Sequence, residues 1–493
     1  MRKTLAVAAA VATATLLAGQ ANAQSSWAAD AQRDLQAAHD FLAANHPAQY
    51  VDSPASASFR SWLDRGLAES LASVSKVQSQ LGYENAMRGY LTGFRDTNIT
   101  FQPGVTELPG WYAAFWPGFS TRWTQGGYTV AWARAGDNKI PPVGARLVSC
   151  DKKPADQVAK ERLDRYEGDM TQAVDRARTA PFLLWDRGNP YTAALPQKCV
   201  FRVGNSNKTY TMNYNPSPEA ERRTAYLAGL GKPQGGPTLE AWNGGFWIRL
   251  PNFAEGQEWD AFLAQLDGQL AAVQAAPVVV IDMRGANDSP ASRNGYKFAN
   301  RLWGPEYILA NQPQVGNAAY RVSAANRAVY ADAVNRMRAD PLSYYQVPVW
   351  EKMLADFDAA MTGGQPLLTR NESRAASAAA AASMLQGRVI VLTDAYCAAQ
   401  CLSMMDLFTK LPNVTHAGVA TSGDSIFVGQ TLLPLPSGQG SVSFGNKAWL
   451  DRPRPSGQGF TPTAPYTGDP ADENAVRAFA AGLAGGAPAA PAS

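Results

Sequence analysis

The stretch VIVLTDAYCAAQCLSMMDLF, residues 389–408, restricts this chain to a narrow set of folds. Val389, Ile390, Val391 and Leu392 form a short unbroken apolar run, the pattern of a strand covered on both faces. Leu402, Met405, Leu407 and Phe408 then recur at helical spacing. Strand, tight turn and helix in this order predict an elbow in an α/β core. Many hydrolases hold a nucleophile on such an elbow, because free N–H groups at the helix start can face an oxyanion. Here the tip reads Cys397-Ala398-Ala399-Gln400-Cys401 and carries no hydroxyl.

The first residues, MRKTLAVAAAVATATLLAGQANAQ, have the order of a secretory signal. Arg2 and Lys3 give a basic start, an apolar run follows from Leu5 to Leu17, and Ala21-Asn22-Ala23 fits a small-residue cleavage site. Residues 1–23 are therefore expected to be a signal peptide, and the mature protein periplasmic or secreted. The apolar run falls short of the ~18 residues of a membrane span. A net charge of +3 with 17% charged residues gives no electrostatic case for nucleic acid or an anionic membrane. The four cysteines form an even set, which in an exported chain suggests disulfides. Sequence leaves three connectivities open; the pairs read here are Cys150–Cys199 and Cys397–Cys401. The three histidines, His39, His46 and His416, are not spaced with the cysteines as zinc ligands would be. No metal and no cofactor is expected.

Residues 24–109 read as a helical module, its first helix stopping at Pro47. Residues 110–215 turn to strands: GYTVAWAR alternates, Gly144 and Leu147-Val148 precede a polar turn, and a helix starts near Pro154. This order is similar to a PDZ domain, which holds an extended peptide by strand addition. The Pro/Gly-rich segment 216–237 reads as a linker. From 238 to 480 the pattern is α/β, with GGFWIRLPNF a strand, EWDAFLAQLDGQLAAVQ an amphipathic helix and APVVVIDMRGAND a fully buried strand. HAGVATSGDSIF and GSVSFGNKAWLD are expected to continue this core. Residues 291–386 show no buried strand and read as a helical insertion, with Thr369 and Glu372 as the capping box of an Ala-rich helix ending at Gly387. The tail, 481–493, is low-complexity and expected to be disordered.

Three marks in this order resemble the tail-specific, or C-terminal processing, serine peptidases. The first is Asp282, Arg284 and Gly285 after the buried strand; the second is the elbow; the third is Gly418, Thr421 and Gly423. The resemblance implies a crotonase-like (ClpP/crotonase) α/β core with a helical N-terminal module and a PDZ-like β-module. It also implies a lineage that binds peptide or protein C-termini. The chemistry departs from the family pattern. Ala399 stands in the nucleophile slot, and a methyl group cannot attack a carbonyl. The lysine slot of one branch holds Asp424, and the histidine slot of the other, in GFRDTNITF, holds Asn98. The oxyanion slots fall on the Gln400 N–H and on Asp288-Ser289, where the family has Gly-Gly. Ser289 and Ser422 lie in turns near the site as candidate displaced nucleophiles, and His46 is a base only if the N-terminal helices fold over the elbow. Cys397 and Cys401 are read as bonded to each other. Asp282 and Arg284 are read as a structural pair, and Asp472-Glu473 as the first turn of a final helix. The sequence therefore predicts an exported pseudopeptidase that binds peptide ends in the old cleft. The alternative is a peptidase with a relocated catalytic set.

Overall fold

The computed structural model describes residues 27–104, 108–124, 126–233, 235–286, 293–340, 344–373 and 382–485. The proposed signal peptide lies outside these residues. Residues 27–45 form helix α1. Ser53 and Ser79 cap α2 (Pro54–Ala72) and α3 (Gln80–Thr92), each hydroxyl accepting from the N–H three residues on. That satisfies a donor which every helix start leaves free. Strand β1 (Thr100–Pro103) follows.

The next unit is an antiparallel sheet. It contains β2 (Phe119–Thr124), β3 (Gly127–Ala133), β4 (Arg146–Cys150), the short β5 (Lys153–Pro154), β6 (Lys198–Val203) and β7 (Ser206–Thr211). The order is β2-β3-β4-β6-β7, with β5 beside β4. Helices α4 (Ala155–Leu163) and α5 (Ala173–Thr179) lie between β5 and β6 in the chain. Cys150 and Cys199 face each other across β4 and β6, and their sulfurs are bonded as expected. The segment read as a linker contains a helix, α6 (Glu219–Leu230), which packs on β2 and β3 through the buried Ala225. Its flanking Pro218 and Gly231 are caps: proline is N-cap, and Gly231 ends the helix at φ 61. The sequence reading weighed these residues as punctuation and missed the helix between them.

The core sheet has the order β19-β14-β13-β10-β9-β8. Its strands are β8 (Thr238–Trp242), β9 (Gly245–Arg249), β10 (Val278–Asp282), β13 (Arg388–Thr393), β14 (Val414–Gly418) and β19 (Ala464–Pro465). All neighbours run parallel except β8 and β9. Helices α7 (Gln257–Ala275), α8 (Asn294–Trp303), α9 (Pro305–Asn311) and α12 (Gln400–Phe408) cover one face. Helix α13 (Glu473–Gly485) covers the other. The alternation is visible in the clusters: Val279, Ile281, Val389 and Val391 pack on the α7/α12 side, while Val278, Val280, Ile390 and Leu392 pack on the α13 side. Helix α13 runs to Gly485, so the first residues of the predicted disordered tail are helical.

Between β10 and β13 the chain is not wholly helical. Besides α10 (Ala324–Ala339) and α11 (Val347–Thr362) it makes β11 (Asn317–Arg321) and β12 (Leu367–Asn371). The sequence reading is corrected here. Thr369 sits inside β12 rather than at a helix start, and Glu372 pairs with Lys447. The Ala-rich residues 374–381 lie outside the described residues. The local Thr-x-x-Glu signal loses to a pairing with β11, which lies about fifty residues earlier in the chain. The last strands also leave the core sheet. They are β15 (Phe427–Val428), β16 (Thr431–Pro434), β17 (Gly440–Phe444) and β18 (Lys447–Trp449). Strands β12-β11-β18-β15 form one small sheet and β1-β17-β16 another. The N-terminal helices are therefore not a module apart. Leu35, Leu42, Phe59 and Tyr90 share one buried cluster with Phe427, Val442 and Phe444.

Candidate active-site elbow

Strand β13 delivers the chain into the elbow, and α12 leaves it. Ala399 is the N-cap of α12 with φ 50 and ψ −116. That is a conformation L residues avoid, and it is stored strain where it occurs. The surroundings over-determine it. Cys397 and Cys401 are bonded across it. Ala398 N donates to Ala286 O (3.2 Å), and Ser422 N donates to Cys397 O (3.1 Å). Thus all three marks read from sequence meet at this turn. Gly285 (φ 85) donates its N–H to both oxygens of Asp394 at 3.1 and 3.0 Å. Gly418 (φ 102) leaves no room for a side chain: a Cβ there would stand 2.4 Å from Thr393 O.

The other predicted positions fall as follows. Asp282 and Arg284 are a buried, two-pronged ion pair (2.8 and 2.6 Å), completed by Glu473 at the start of α13 (2.8 Å). Burial opposes ionisation of Glu473, but hydrogen bonds from Arg284 and Arg477 win and hold it at about 2. Asp424 is engaged by Arg452 (2.9 Å) and Arg454, and Arg454 also grips Asp406 on α12 (3.1 and 2.9 Å). Asn98 turns its amide to Phe427 O (2.6 Å). Gln400 is buried at the start of α12. Asp288 and Ser289 lie outside the described residues.

His46 is buried and stacked on Phe59, with ring centroids 4.4 Å apart. Its Nδ1 accepts from Ala48 N (3.2 Å), so it caps the short turn at Pro47. Its Nε2 lies 3.7 Å from Asp96 Oδ2. Burial pushes His46 down to about 3 and Asp96 up to about 7, although Asp96 accepts from Asn98 N. Ser425 also hydrogen-bonds the Asp96 carboxyl while accepting from Phe427 N (3.0 Å). His416 is structural as well: its Nε2 meets Thr393 Oγ1 at 2.8 Å, and burial pushes it down to about 4.

Sequence reasoning missed the cover over this site. Gln172 Oε1, from the β-module, accepts from Ser422 Oγ (3.3 Å) and Gly423 N (3.2 Å). Ala395 and Tyr396 pack against Ala173, Val174, Ala177 and Trp123, and Tyr396 Oη donates to Leu230 O (2.9 Å). Between this cover and the ends of β13 and β14 a cavity of about 20 Å³ remains. Ser422 is thus held by an amide, not by a base. No motif marks Gln172; Asp394, a carboxyl ending an apolar strand and pushed up to about 6 by burial, does carry a local signal.

A core in which the elbow, the Asp282–Gly285 turn and the Gly418–Gly423 turn meet in this way has the fold of CPAF. A point mutant of CPAF superposes with a TM-score of 0.57 at 12% identity, over 92% of this chain and 95% of that one. CPAF complexed with lactacystin gives 0.55 at 11% identity, over 92% and 97%. The photosystem II D1 C-terminal processing protease gives 0.37 at 11% identity, over 91% and 96%. By sequence, no family model and no curated protein matches the chain. Among the described residues no helix is long and apolar enough to cross a membrane, and no cluster of His, Cys, Asp and Glu is placed to hold a metal ion. The two disulfides are compatible with an oxidising, extracellular or periplasmic setting.

Proposed function

We propose that this protein is an exported pseudopeptidase of the tail-specific lineage, which holds peptide or protein ends beside the old elbow. The observation that carries the catalytic half is the Ala399 methyl at the tip of a strained turn that still holds its bonds to Ala286 O and from Ser422 N. A nucleophile–base pair that loses one member loses about 10⁶ in turnover, and an oxyanion donor is worth about another 10²–10³. Asn98 and Asp424, in the two base slots, are spent on Phe427 O and on arginines. The binding half rests on reading residues 238–480 as crotonase-like and 110–215 as PDZ-like. In support, β7 is an outer strand of its sheet and exposed along most of its length, as strand addition needs.

The test exposes the parent and Ala399→Ser to a broad fluorophosphonate probe and reads adducts by mass spectrometry. Neither should be labelled, while Ala399→Ser with Asn98→His and Asp288→Gly should react. An adduct on Ser422 or Ser289 of the parent would establish a relocated nucleophile and overturn the reading. For the binding half, benzophenone peptides with free C-termini should crosslink within residues 394–424. Crosslinks found only elsewhere would remove the elbow as the binding place.

A further inference from the structure

A second cavity is lined by none of the elbow residues, although its Arg95 lies three positions before Asn98. It encloses about 410 Å³ between one stripe of α2 (Ser58, Ser61, Arg65 and Glu69) and the side chains of Arg95 and Arg165. Trp62 contributes to its wall. Arg65 and Arg165 both lie over the Trp62 ring, at 4.8 and 4.5 Å from its centroid. Stacking uses the faces of a guanidinium and leaves its in-plane N–H groups directed at whatever oxygen approaches. Each guanidinium has five such donors. Arg65 donates to Glu69 Oε1 (3.1 Å); Arg165 donates to Glu69 Oε2 (3.1 Å) and to Gly89 O (3.3 Å). One carboxylate is therefore shared by two guanidiniums, with donors of both left over. Arg95 is satisfied separately, by Asp164 (2.7 Å, both oxygens) and Asp169 (2.6 Å).

The charge around the cavity narrows the ligand. The charges are three arginines against Glu69, Asp164 and Asp169, but the Arg65–Glu69–Arg165 group alone has one positive charge in excess. A single negative charge matches that excess. A dianion would exceed the charge of that group by one. We propose that this cavity binds a carboxylate carried by a peptide, either an acidic side chain or a free C-terminus, on Arg65 and Arg165. The Ser58 and Ser61 hydroxyls line the path of the peptide chain. This site stands whether or not the elbow binds anything.

The test is fluorescence anisotropy with the purified full chain and three fluorescein-labelled five-residue peptides. One carries a central glutamate and an amidated end, one a central glutamine and an amidated end, and one a central glutamine and a free carboxylate. At least one carboxylate peptide should bind saturably, the neutral one about ten-fold or more weakly, as expected for a lost charge-assisted contact. Which carboxylate peptide binds tells side chain from terminus. Arg65→Gln, at an exposed position, should weaken binding several-fold. Adding Arg165→Gln should remove it, Lys352→Gln on α11 should leave it unchanged, and added salt should weaken it. Equal binding of the neutral peptide, undiminished binding to Arg65→Gln, or no saturable binding of either carboxylate peptide would each overturn the proposal.

Discussion

At the scale of single residues, Ala399 sits where only a stabilising surround can keep it. Its φ of 50 and ψ of −116 are expensive for any residue with a Cβ. A working nucleophile would justify that cost; a methyl does not. Ala399→Gly should therefore raise stability by about 1–2 kcal/mol. Urea unfolding would show a higher midpoint at constant slope; a lower midpoint would mean that the methyl packs usefully. Asp96 gives a second prediction, in pH. Burial pushes it up to about 7, from 3.8, so between these values the folded chain holds an extra proton. Its stabilising share is full below about pH 4 and is lost as pH rises. Asp394, pushed up to about 6 by burial, behaves alike. Burial pushes His46 down to about 3 and His416 to about 4, so their share is present above 6.5 and lost as pH falls. Between about pH 4 and 6 the two pairs nearly cancel. Asp96→Asn removes one side of the balance. Its stability should climb relative to the parent by about 1.4 kcal/mol per pH unit in that window. Urea titrations at both ends of the window decide it, since parallel curves would mean that Asp96 is ionised in the fold. The sequence singled out Asn98 and His46, but not the burial of His46 between Phe59 and Phe427 or the Asn98 bond to Phe427 O, which depend on a strand more than 300 residues away.

At the scale of elements, the elbow is a junction of three turns held by backbone hydrogen bonds and one ion network. Arg454 ties the Asp424 turn to α12 through Asp406, and its side chain is only 9% exposed. Restoring a lysine at this slot would set a third cation against Arg452 and Arg454. Asp424→Lys should thus destabilise the protein by about 3–5 kcal/mol, the cost of breaking a buried pair from one side. It should not help Ala399→Ser to react. Denaturant midpoints check the first point; an unchanged midpoint would show that the network holds nothing. The elements themselves were unevenly legible. Strands β10 and β13 announce themselves because both faces are buried, which writes an unbroken apolar run into the sequence. Strand β12 is half-exposed and offers no such run, and α6 hides between proline and glycine caps.

At the scale of the whole molecule, the N-terminal helices and the C-terminal strands are one body. Leu35 on α1 is fully buried in the cluster that contains Phe444, and β1 adds an edge to β17. Calorimetry should therefore show these parts melting together, and Leu35→Ala should shift that shared transition by about 2–5 kcal/mol of stability. A separate, earlier melting of the helices would contradict the shared core. The Cys150–Cys199 bond closes a loop of 49 positions, worth about 4 kcal/mol in the chain-entropy model. The non-reduced, denatured protein should accordingly titrate no free thiol. The sequence by itself determined the buried strands β10 and β13, the elbow and its missing hydroxyl. These are written within a strand or a turn, where periodicity and side-chain chemistry act locally. Of the three pairings that it left open to the four cysteines, the structure holds Cys150–Cys199 and Cys397–Cys401. The tertiary structure alone decided that Gln172 and α5 cover the elbow, that β11 and β12 replace a helix, and that the N-terminal helices seal the last strands. It also alone gathered Arg65, Trp62 and Arg165 around one cavity. Those contacts join residues far apart in the chain, and which distant faces meet is set by the packing of the whole apolar interior, not by any pattern a local stretch carries.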